Sequence, residues 1–490
     1  MARLVASLVE RSVSGVSRSS RKAFSLGADL VEVRLDHIEP AALTGRSLSL
    51  IRDAVHGPAI ATLRSKAEGG LSALRGTRRE TALRVIADAG FEFIDLEARI
   101  DARVIRAGIG TGPEVIVSSH LRAPGDSKRV DRLLRSVCAS GDIGKVAMPC
   151  TDASQALMLA RVGRRVAEER KTFALIGMGD QGALTRACAE EIGSALVYCC
   201  LPGRPAAPGQ FDVATQAALR SRGRVLLGLL GHPVSHSVSR PMQEAALRRA
   251  GLGGAYLPLD IPPAHMTRAN LRLMGTLGFT GLNVTIPHKA RVSGMCDEKG
   301  PSAASTGVVN TVRFKSDLII GENTDVFGFS KLIEHKIRIV KGTSALVLGA
   351  GGAARAAVRV LADSGASVSV AARRVGRAED AASDDAEALG FGEIGPGKRF
   401  DVVVNCTPVG MKGFPSVGLP MTAVGKGTVL FDLVYNPPVT STMKRARAKG
   451  AKAYGGLDML VHQGAEAFRI WTGVEPDIRS MARAAKGALP

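Results

Sequence analysis

The chain has 490 residues, which is more than one hydrophobic core normally supports, so we expect two or three domains. No apolar run is long enough to span a bilayer, and the longest, over 225–230, has the length of a strand. The N-terminus lacks the apolar stretch of a secretion signal, and the seven scattered cysteines include no Cys-x-x-Cys pair. These features predict a cytoplasmic protein with no membrane partner and no metal site.

The formal net charge of +20 is compatible with either nucleic acid or anionic small substrates. The basic residues are spread along the chain, and only 4% of residues are aromatic, so stacking platforms for single strands are scarce. A proteome-wide preference for arginine would produce the same charge. We therefore expect no specific nucleic-acid partner and leave binding of anionic substrates open.

The first half contains eight short β-rich runs separated by amphipathic stretches such as 78–89, 127–139 and 152–169. Strands that alternate with helices indicate a parallel sheet, and eight repeats indicate closure into a (βα)8 barrel. The predicted strands are Leu4–Val9, Leu30–Arg34, Ala59–Arg64, Phe91–Leu96, Val115–Ser119, Lys145–Met148, Thr172–Ile176 and Leu196–Cys200.

Lys145 lies within the sixth predicted strand, where an ammonium without a partner is costly to bury. Burial favours the neutral amine, which attacks ketones and forms Schiff bases. On its own, a lysine at a strand end more often reaches water along its stem. The other polar residues at the carboxyl ends of the strands favour the catalytic interpretation, because barrel enzymes place their chemistry there. They are Glu32, Arg34, Arg64, Glu68, Glu97 and His120, followed on later loops by Met178, Arg186 and Gln210.

Six segments of this half, in order, resemble the type I 3-dehydroquinate dehydratases: 32–36, 62–70, 118–120, 145–149, 176–186 and 207–210. The resemblance implies that Lys145 forms an imine with the substrate ketone and that His120 is the general acid and base. It further implies that four residues hold the substrate hydroxyls and orient the histidine: Glu32, Arg34, Arg64 and Glu68. Arg186 and Gln210 would bind the substrate carboxylate, and Met178 would also contact the substrate. Ala206 departs from the family, where serine is frequent, so one substrate hydrogen bond is expected to be missing.

In the second half, a strand over 225–231 leads into a polar turn that opens a helix at Pro241. Serine hydroxyls and free amides at a helix start suit a carboxylate, although ordinary capping gives the same pattern. Further on, a strand, a glycine turn and a helix follow each other over 345–355, as at a pyrophosphate site. The next predicted strand, Ser367–Ala371, ends in arginines rather than an acid, which favours NADP over NAD; a solvated basic loop is the alternative.

These segments, with later ones over 405–411, 432–437 and 455–464, resemble shikimate dehydrogenase. The resemblance implies that Lys289 and Asp325 form the catalytic pair. It implies substrate contacts from Ser237, Ser239, Thr285, Asn310, Tyr435 and Gln463. It implies cofactor contacts from Gly349, Ala350, Gly351, Gly352, Ala353, Arg373, Arg374, Arg377, Thr407 and Gly455.

Three departures from that family stand out: Arg240 replaces a proline, Gln243 a frequent histidine, and Ala372 an asparagine. The first two put substrate affinity in question, and the third concerns only contacts with the adenosine of the cofactor.

The sequence thus predicts an α/β protein with a (βα)8 barrel over 1–218, a substrate lobe over 224–325 completed by 457–490, and a Rossmann NADP lobe over 326–456. The predicted function is bifunctional: dehydration of 3-dehydroquinate to 3-dehydroshikimate, then reduction to shikimate with NADPH. Two alternatives stay open, a metabolite-sensing regulator without catalysis and a dehydrogenase that also accepts quinate.

Overall fold

The computed structural model describes residues 1–39, 43–109, 112–334, 336–395, 397–411 and 418–489. The chain divides into two compact units. One comprises Met1–Leu226, Gly253–His265 and Ala269–Gly278, and the other comprises Leu227–Leu252, Met266–Arg268 and Phe279–Pro490.

The first unit is built on eight parallel strands whose order, β7-β6-β5-β4-β3-β2-β1-β8, makes a nearly closed barrel. This confirms the predicted fold of the first half. The strands are β1 (Arg3–Leu8), β2 (Leu30–Arg34), β3 (Ala59–Thr62), β4 (Phe93–Glu97), β5 (Glu114–His120), β6 (Ile143–Pro149), β7 (Phe173–Met178) and β8 (Leu196–Cys199). The helices are α1 (Val13–Ser25), α2 (Gly45–Asp53), α3 (Gly76–Ala87), α4 (Ala102–Ala107), α5 (Ser127–Cys138), α6 (Ala153–Glu168), α7 (Leu184–Ala187), α8 (Ala189–Ile192) and α9 (Val213–Arg220).

Several of these helices begin where the sequence supplies a capping side chain. Asp126, Asp152 and Asp212 each accept a backbone N–H of the first turn of α5, α6 and α9. Such a cap stabilises a helix by about 1 kcal/mol. Each helix then buries one apolar stripe against the outside of the barrel, as α5 does with Val130, Leu134 and Val137.

Alternation along the strands divides their side chains between the barrel interior and the helices. The innermost layer is apolar, with residues such as Leu30, Phe93 and Ile143 from β2, β4 and β6. Two positions further along the same strands, towards their carboxyl ends, the inward residues are Glu32, Asp95 and Lys145. The barrel interior therefore has an apolar layer of side chains and, next to it towards the carboxyl ends of the strands, a layer of charged side chains.

The second half contains two further sheets. The first has the order β10-β9-β11-β13-β14-β12 and mixes parallel with antiparallel pairs. Its strands are β9 (Val225–Gly231), β10 (Gly254–Asp260), β11 (Gly281–Val284), β12 (Glu298–Lys299), β13 (Thr311–Lys315) and β14 (Leu318–Glu322). Its helices are α10 (Ser239–Arg249), α11 (Arg268–Thr276), α12 (Lys289–Ser293), α13 (Pro301–Thr306) and α14 (Thr324–Glu334).

The last sheet is parallel throughout, in the order β17-β16-β15-β18-β19-β20 of a doubly wound Rossmann fold. The predicted nucleotide-binding fold is confirmed. Its strands are β15 (Ser344–Leu348), β16 (Ser367–Ala372), β17 (Glu387–Gly390), β18 (Val402–Asn405), β19 (Val429–Asp432) and β20 (Lys452–Gly455), and its helices are α15 (Gly352–Asp363), α16 (Val375–Ala382) and α17 (Ser441–Ala448). The chain ends in α18 (Leu457–Thr472) and α19 (Ile478–Gly487), which pack on α14 and α10.

Among the residues that the structure describes, no helix combines the length and the apolar character that crossing a membrane requires.

Candidate active sites

A cavity of about 490 Å³ opens at the carboxyl ends of the barrel strands. The structure brings nine of the ten residues named for this half to its wall, and the tenth, Glu97, instead pairs with Arg64. The nine are Glu32, Arg34, Arg64, Glu68, His120, Lys145, Met178, Arg186 and Gln210. Strand register explains the convergence, because each strand of a parallel barrel ends at the same rim.

Lys145 is buried on β6 and surrounded by carboxylates. Its Nζ donates a hydrogen bond of 3.0 Å to Asp95 and lies 3.5 Å from a Glu32 oxygen. Burial acts to lower the pKa of Lys145, but the charges of Asp95 and Glu32 outweigh it and raise that pKa above its usual value. The expectation of a neutral amine was therefore wrong for the free protein: the two acids hold Lys145 as an ammonium.

Asp95 is a residue that the sequence analysis missed. Its carboxylate has no exposed surface, and it accepts hydrogen bonds from Arg64 at 2.9 Å and from Ser118 at 2.6 Å. Burial acts to raise the pKa of Asp95, but Arg64 and Lys145 hold it far below its usual range. The available signal was an acid inside an otherwise apolar strand, the same signal that singled out Lys145.

Arg64 is held by a network that extends away from the cavity. Its Nη1 donates to Glu97 at 3.2 Å, and Glu97 in turn lies 3.6 Å from the buried Arg79. Arg79 forms a paired hydrogen bond with Asp101 at 2.6 and 3.0 Å. Paired guanidinium and carboxylate groups of this kind restrict rotation, so Arg64 presents a fixed charge to the cavity.

His120 lies at the end of β5, and its Nδ1 is 2.9 Å from Glu68 Oε2. Burial, together with the positive charges of Arg64 and Lys145, holds the pKa of His120 well below its usual value, so the ring is neutral at physiological pH. Burial also raises the pKa of Glu68 to about 7. A neutral imidazole oriented by a carboxyl group is suited to act as a general base.

The other polar residues of the cavity already have partners on their own loops. Arg34 forms a two-fold hydrogen bond with Asp36 at 2.8 and 2.9 Å, and Asp36 also accepts the backbone N–H of Leu71. Gln210 Oε1 accepts from the backbone N–H groups of Ala206 and Ala207, which leaves its amide N–H donors for a ligand. The Ala206 methyl group therefore lies beside Gln210 without adding a hydrogen bond of its own.

Arg186 is the deepest cation of the cavity. Its Nη1 donates to the carbonyl oxygens of Gly177 and Gly209, while its Nε is buried without a partner among the described residues. Burial lowers the pKa of Arg186 to about 10. A buried guanidinium with one unsatisfied donor is a good receptor for an anionic group.

The second site is centred on an ion pair between Lys289 at the start of α12 and Asp325 at the start of α14. Asn310 donates to the other Asp325 oxygen at 2.8 Å and lies 3.4 Å from Gln463 Oε1. Asn310 is itself fixed, because its side-chain oxygen accepts the backbone N–H of Thr324 at 2.7 Å. The arrangement places an ammonium, a carboxylate and two amides around one point.

The two serines of the polar turn also come together. Ser237 donates to Ser239 at 3.0 Å at the start of α10, and the Tyr435 hydroxyl lies beside Ser237. Burial raises the pKa of Tyr435, so it stays a neutral donor. Thr285 follows β11, and its side chain packs against Gly231 at the end of β9.

The residues of this lobe that differ from the family pattern form contacts of their own in the structure. Arg240 pairs with Glu244 on the surface of α10 at 2.9 Å. Gln243 is fully buried and donates to the carbonyl oxygen of Gly464 on α18 at 2.9 Å, so it joins two helices. Its Oε1 has no partner among the described residues.

The turn between β15 and α15 consists mainly of glycines, so little side-chain bulk covers its backbone. Gly349 has a φ of 110°, a conformation that favours glycine, and a Cβ there would lie 3.1 Å from Thr407. A Cβ on Gly352 would lie 2.8 Å from the side chain of Lys289. No side chain caps α15 at Gly351, so its first N–H groups remain for an anion. Ala350 and Ala353 complete the turn, and the backbone fits a dinucleotide pyrophosphate.

The three arginines after β16 are exposed. None of Arg373, Arg374 and Arg377 forms an ion pair with any residue in the described part of the chain. Ala372 just before them is buried, so it offers no polar contact. Gly455 ends β20 at the same carboxyl edge of the sheet as Thr407.

Comparison with known proteins agrees with this architecture. The model for type I 3-dehydroquinase matches residues 4–236. The model for the shikimate dehydrogenase substrate binding domain matches residues 229–312, and that for the shikimate 5'-dehydrogenase C-terminal domain matches residues 456–486.

Relatives of the second half are close. The shikimate dehydrogenase (NADP(+)) of Methanopyrus kandleri is 41% identical over 275 residues, which cover 53% of this chain and 94% of that protein. The Archaeoglobus fulgidus enzyme of the same name is 41% identical over 276 residues, which cover 54% of this chain and 98% of that protein. The structure of shikimate 5-dehydrogenase from Thermus thermophilus, in complex with NADP(H) and shikimate, is 37% identical with a TM-score of 0.50 and covers 54% of this chain and 100% of that one.

The fold and the two sites define a two-enzyme chain, a lyase barrel followed by a nucleotide-dependent dehydrogenase. The chain belongs to the shikimate dehydrogenase family and carries a type I 3-dehydroquinase domain in its first half.

Proposed function

We propose that the chain catalyses two consecutive reactions, dehydration of 3-dehydroquinate to 3-dehydroshikimate and reduction of that product to shikimate with NADPH. The observation that carries the proposal is the pair of lysine centres. Lys145 lies with acids and a histidine in a barrel cavity, and Lys289 is paired with Asp325 beside a glycine turn. A regulator that only senses metabolites has no need of either group.

In the barrel, the Lys145 ammonium gives up a proton towards the ketone oxygen of the substrate, and the amine so formed adds to the ketone carbon. A second proton from Nζ lets that oxygen leave as water, and the product is a protonated imine, which is an electron sink. His120 removes the proton on the carbon next to the imine, and the hydroxyl one carbon further leaves as water with the proton that His120 returns. Hydrolysis of the product imine then releases 3-dehydroshikimate and restores Lys145. Glu68 orients the ring through Nδ1, and Arg186 with Gln210 binds the carboxylate. Glu32, Arg34 and Arg64 hold the hydroxyls.

In the dehydrogenase, bound NADPH supplies a hydride to the ketone carbon. Lys289 donates a proton to the oxygen that becomes a hydroxyl, and Asp325 holds that lysine in place. Ser237 and Ser239 bind the carboxylate, and Thr285, Asn310, Tyr435 and Gln463 hold the ring substituents. The cofactor pyrophosphate would be held by the backbone of the turn over 349–353, with Thr407 and Gly455 beside it.

One assay tests both halves. The purified chain receives dehydroquinate and NADPH, and the enone absorbance and the loss of reduced cofactor are followed together. We expect a transient enone signal and stoichiometric oxidation of NADPH. Failure to form the enone, or enone formation without oxidation of NADPH, would refute one half of the proposal. Turnover of quinate with NADP at a rate similar to that of shikimate would favour the relaxed alternative.

The ionisation of Glu68 predicts the pH dependence of dehydration. Below pH 7 Glu68 takes up a proton and no longer holds the His120 N–H as a carboxylate, so kcat/KM for dehydroquinate should fall as the pH decreases through about 7. Glu68→Gln should lower the rate about 10- to 100-fold and remove this limb of the profile. Reduction of dehydroshikimate by the same variant is the control. An unchanged limb in Glu68→Gln would contradict the assignment.

The same residue predicts a gain in stability. The pKa of Glu68 is higher in the folded chain than in the unfolded one, so the folded state loses stability as the pH rises from about 4.5 to about 7. Removing the acid should therefore raise the free energy of unfolding of Glu68→Gln at pH 8 by about 1–3 kcal/mol, with little gain at pH 4.5. Chemical denaturation at both pH values measures it, and a loss of stability at pH 8 would contradict the burial argument.

The cofactor preference rests on Arg373, Arg374 and Arg377. Charge-assisted contacts to a phosphate are roughly twice as strong as neutral ones, so these arginines favour the 2′-phosphate of NADP. The double variant Arg373→Ala/Arg377→Ala should weaken NADPH binding by about 10- to 100-fold and leave NADH binding nearly unchanged. Arg445→Ala, which removes an exposed arginine of α17, is the matched control. Equal losses for both cofactors would refute the preference.

The compartment is a further part of the proposal. All seven cysteines are free thiols, which supports a reducing location such as the cytoplasm.

A further inference from the structure

The carboxylate of Asp95 lies behind Lys145 rather than in the substrate cavity. It is the nearest carboxylate oxygen to Nζ, at 3.0 Å, and its side chain has no exposed surface. It is not among the residues that line the cavity, whereas Glu32 and Lys145 are. Asp95 therefore cannot bind substrate directly, and any effect on the reaction passes through Lys145 Nζ.

A second group favours positive charge at the same atom. The Nζ of Lys145 lies 3.9 Å from the centroid of the Tyr198 ring on β8, within the range of a cation–π contact. Tyr198 is buried and lines the same cavity as Lys145. A carboxylate and an aromatic face thus converge on one nitrogen. Glu32 is less well placed, because it is 3.5 Å away and already accepts hydrogen bonds from Ser7 and Thr62.

The charge balance of the reaction explains why a protonated lysine is compatible with catalysis. An ammonium and a ketone give a protonated imine and one water, so the positive charge on nitrogen is the same before and after the step. Two protons move from Nζ to the departing oxygen, and the third stays on the imine. Elimination then requires that this last proton remain, because only the protonated imine accepts the electron pair of the broken C–H bond.

We propose that Asp95 is the counter-ion of the Lys145 imine and keeps it protonated throughout the dehydration. The inference rests on the proposed function of the barrel and adds a catalytic residue to it. Arg64 and Ser118 hold the Asp95 oxygens at 2.9 and 2.6 Å, so the negative charge is fixed in place before substrate arrives. Because the Asp95 side chain has no exposed surface, water screens the attraction between carboxylate and imine only weakly.

The direct test is a titration of the imine nitrogen. The chain is labelled with 15N at the lysine ε position, the adduct with dehydroshikimate is formed in the absence of NADPH, and the 15N chemical shift of the imine is followed with pH. In the parent chain we expect a protonated imine from pH 6 to pH 9. In Asp95→Asn, the imine should deprotonate about one to three pH units earlier than in the parent. Asp95→Glu keeps the charge and should restore protonation in large part.

Kinetics supply a second readout. Asp95→Asn should lose kcat for dehydroquinate progressively as the pH rises, recover part of it at low pH, and keep KM within about threefold. Asp101→Asn is the matched comparator, since it removes another buried carboxylate of the barrel that touches Arg79 and not Nζ. It should not introduce the loss at high pH. A purely structural effect of Asp95 would lower activity equally at every pH.

Several outcomes would overturn the inference. A neutral imine in the parent chain at pH 8 would do so even if Asp95→Asn failed to fold. An Asp95→Asn imine that stays protonated to pH 9, or a pH profile of kcat equal to that of the parent, would do so as well. If the parent chain forms no adduct on Lys145 at all, the proposed function of the barrel is wrong instead.

Discussion

Lys145→Ala should abolish dehydration of 3-dehydroquinate while reduction of added 3-dehydroshikimate stays near that of the parent. Without the amine no imine forms, and the α-proton loses its electron sink. We expect a fall in kcat of at least about 10⁴-fold, which corresponds to more than 5 kcal/mol of transition-state stabilisation. Borohydride should trap a substrate adduct on the parent chain and none on the variant.

The same substitution should also destabilise the barrel, because it leaves Asp95 and Glu32 without their shared cation. Removing one partner of a buried ion pair costs about 3–5 kcal/mol. Lys171→Ala, which removes an exposed lysine of the same domain, is the control and should change neither activity nor stability. Dehydration that survives in a folded Lys145→Ala chain, or an adduct that mass spectrometry places on another lysine, would contradict the central assignment.

Lys289→Ala should have the opposite effect, with loss of reduction and normal dehydration. The lysine supplies the proton that the new hydroxyl needs, so kcat for dehydroshikimate should fall by about 10³-fold or more, roughly 4 kcal/mol. Stopped-flow loss of NADPH absorbance measures the step. Lys331→Ala on α14, where the lysine forms an ion pair with Glu334 at the surface, is the matched control.

The ion pair with Asp325 allows a further test of the role of Lys289. Because the two side chains form one ion pair, Asp325→Ala and Lys289→Ala should not be additive, and the double variant should lose little more activity than the worse single one. Additive losses would mean that the two residues act separately. A Lys289→Ala chain that also lost dehydration would show that the two chemistries are not independent.

Most of the fold followed from local pattern. All eight barrel strands, the glycine turn and the second Rossmann strand were predicted within a few residues, since buried parallel strands read as short apolar runs between amphipathic helices. Lys145 was found because a charged group inside such a run is rare, and His120 because it follows a strand at its carboxyl end. Lys289 was found only through the resemblance to shikimate dehydrogenase. The predicted ends differ from the observed ones by about two residues: the amphipathic stretch expected over 78–89 corresponds to helix α3, which runs over Gly76–Ala87.

The charge states of the site belong to the tertiary structure. Lys145 was expected to be neutral because burial alone favours the amine, yet Asp95 and Glu32, which lie on other strands far away in the chain, reverse that preference. Likewise, only the fold brings Glu68 to His120 and raises its pKa to about 7.

By itself, the sequence determined which chemical groups this protein carries and on which strand or helix each one lies, because periodicity and turn residues are local. The tertiary structure alone decided which of those groups hold a proton. The pKa of a buried group depends on charges within a few ångströms, and in this barrel those charges come from strands that are distant in sequence.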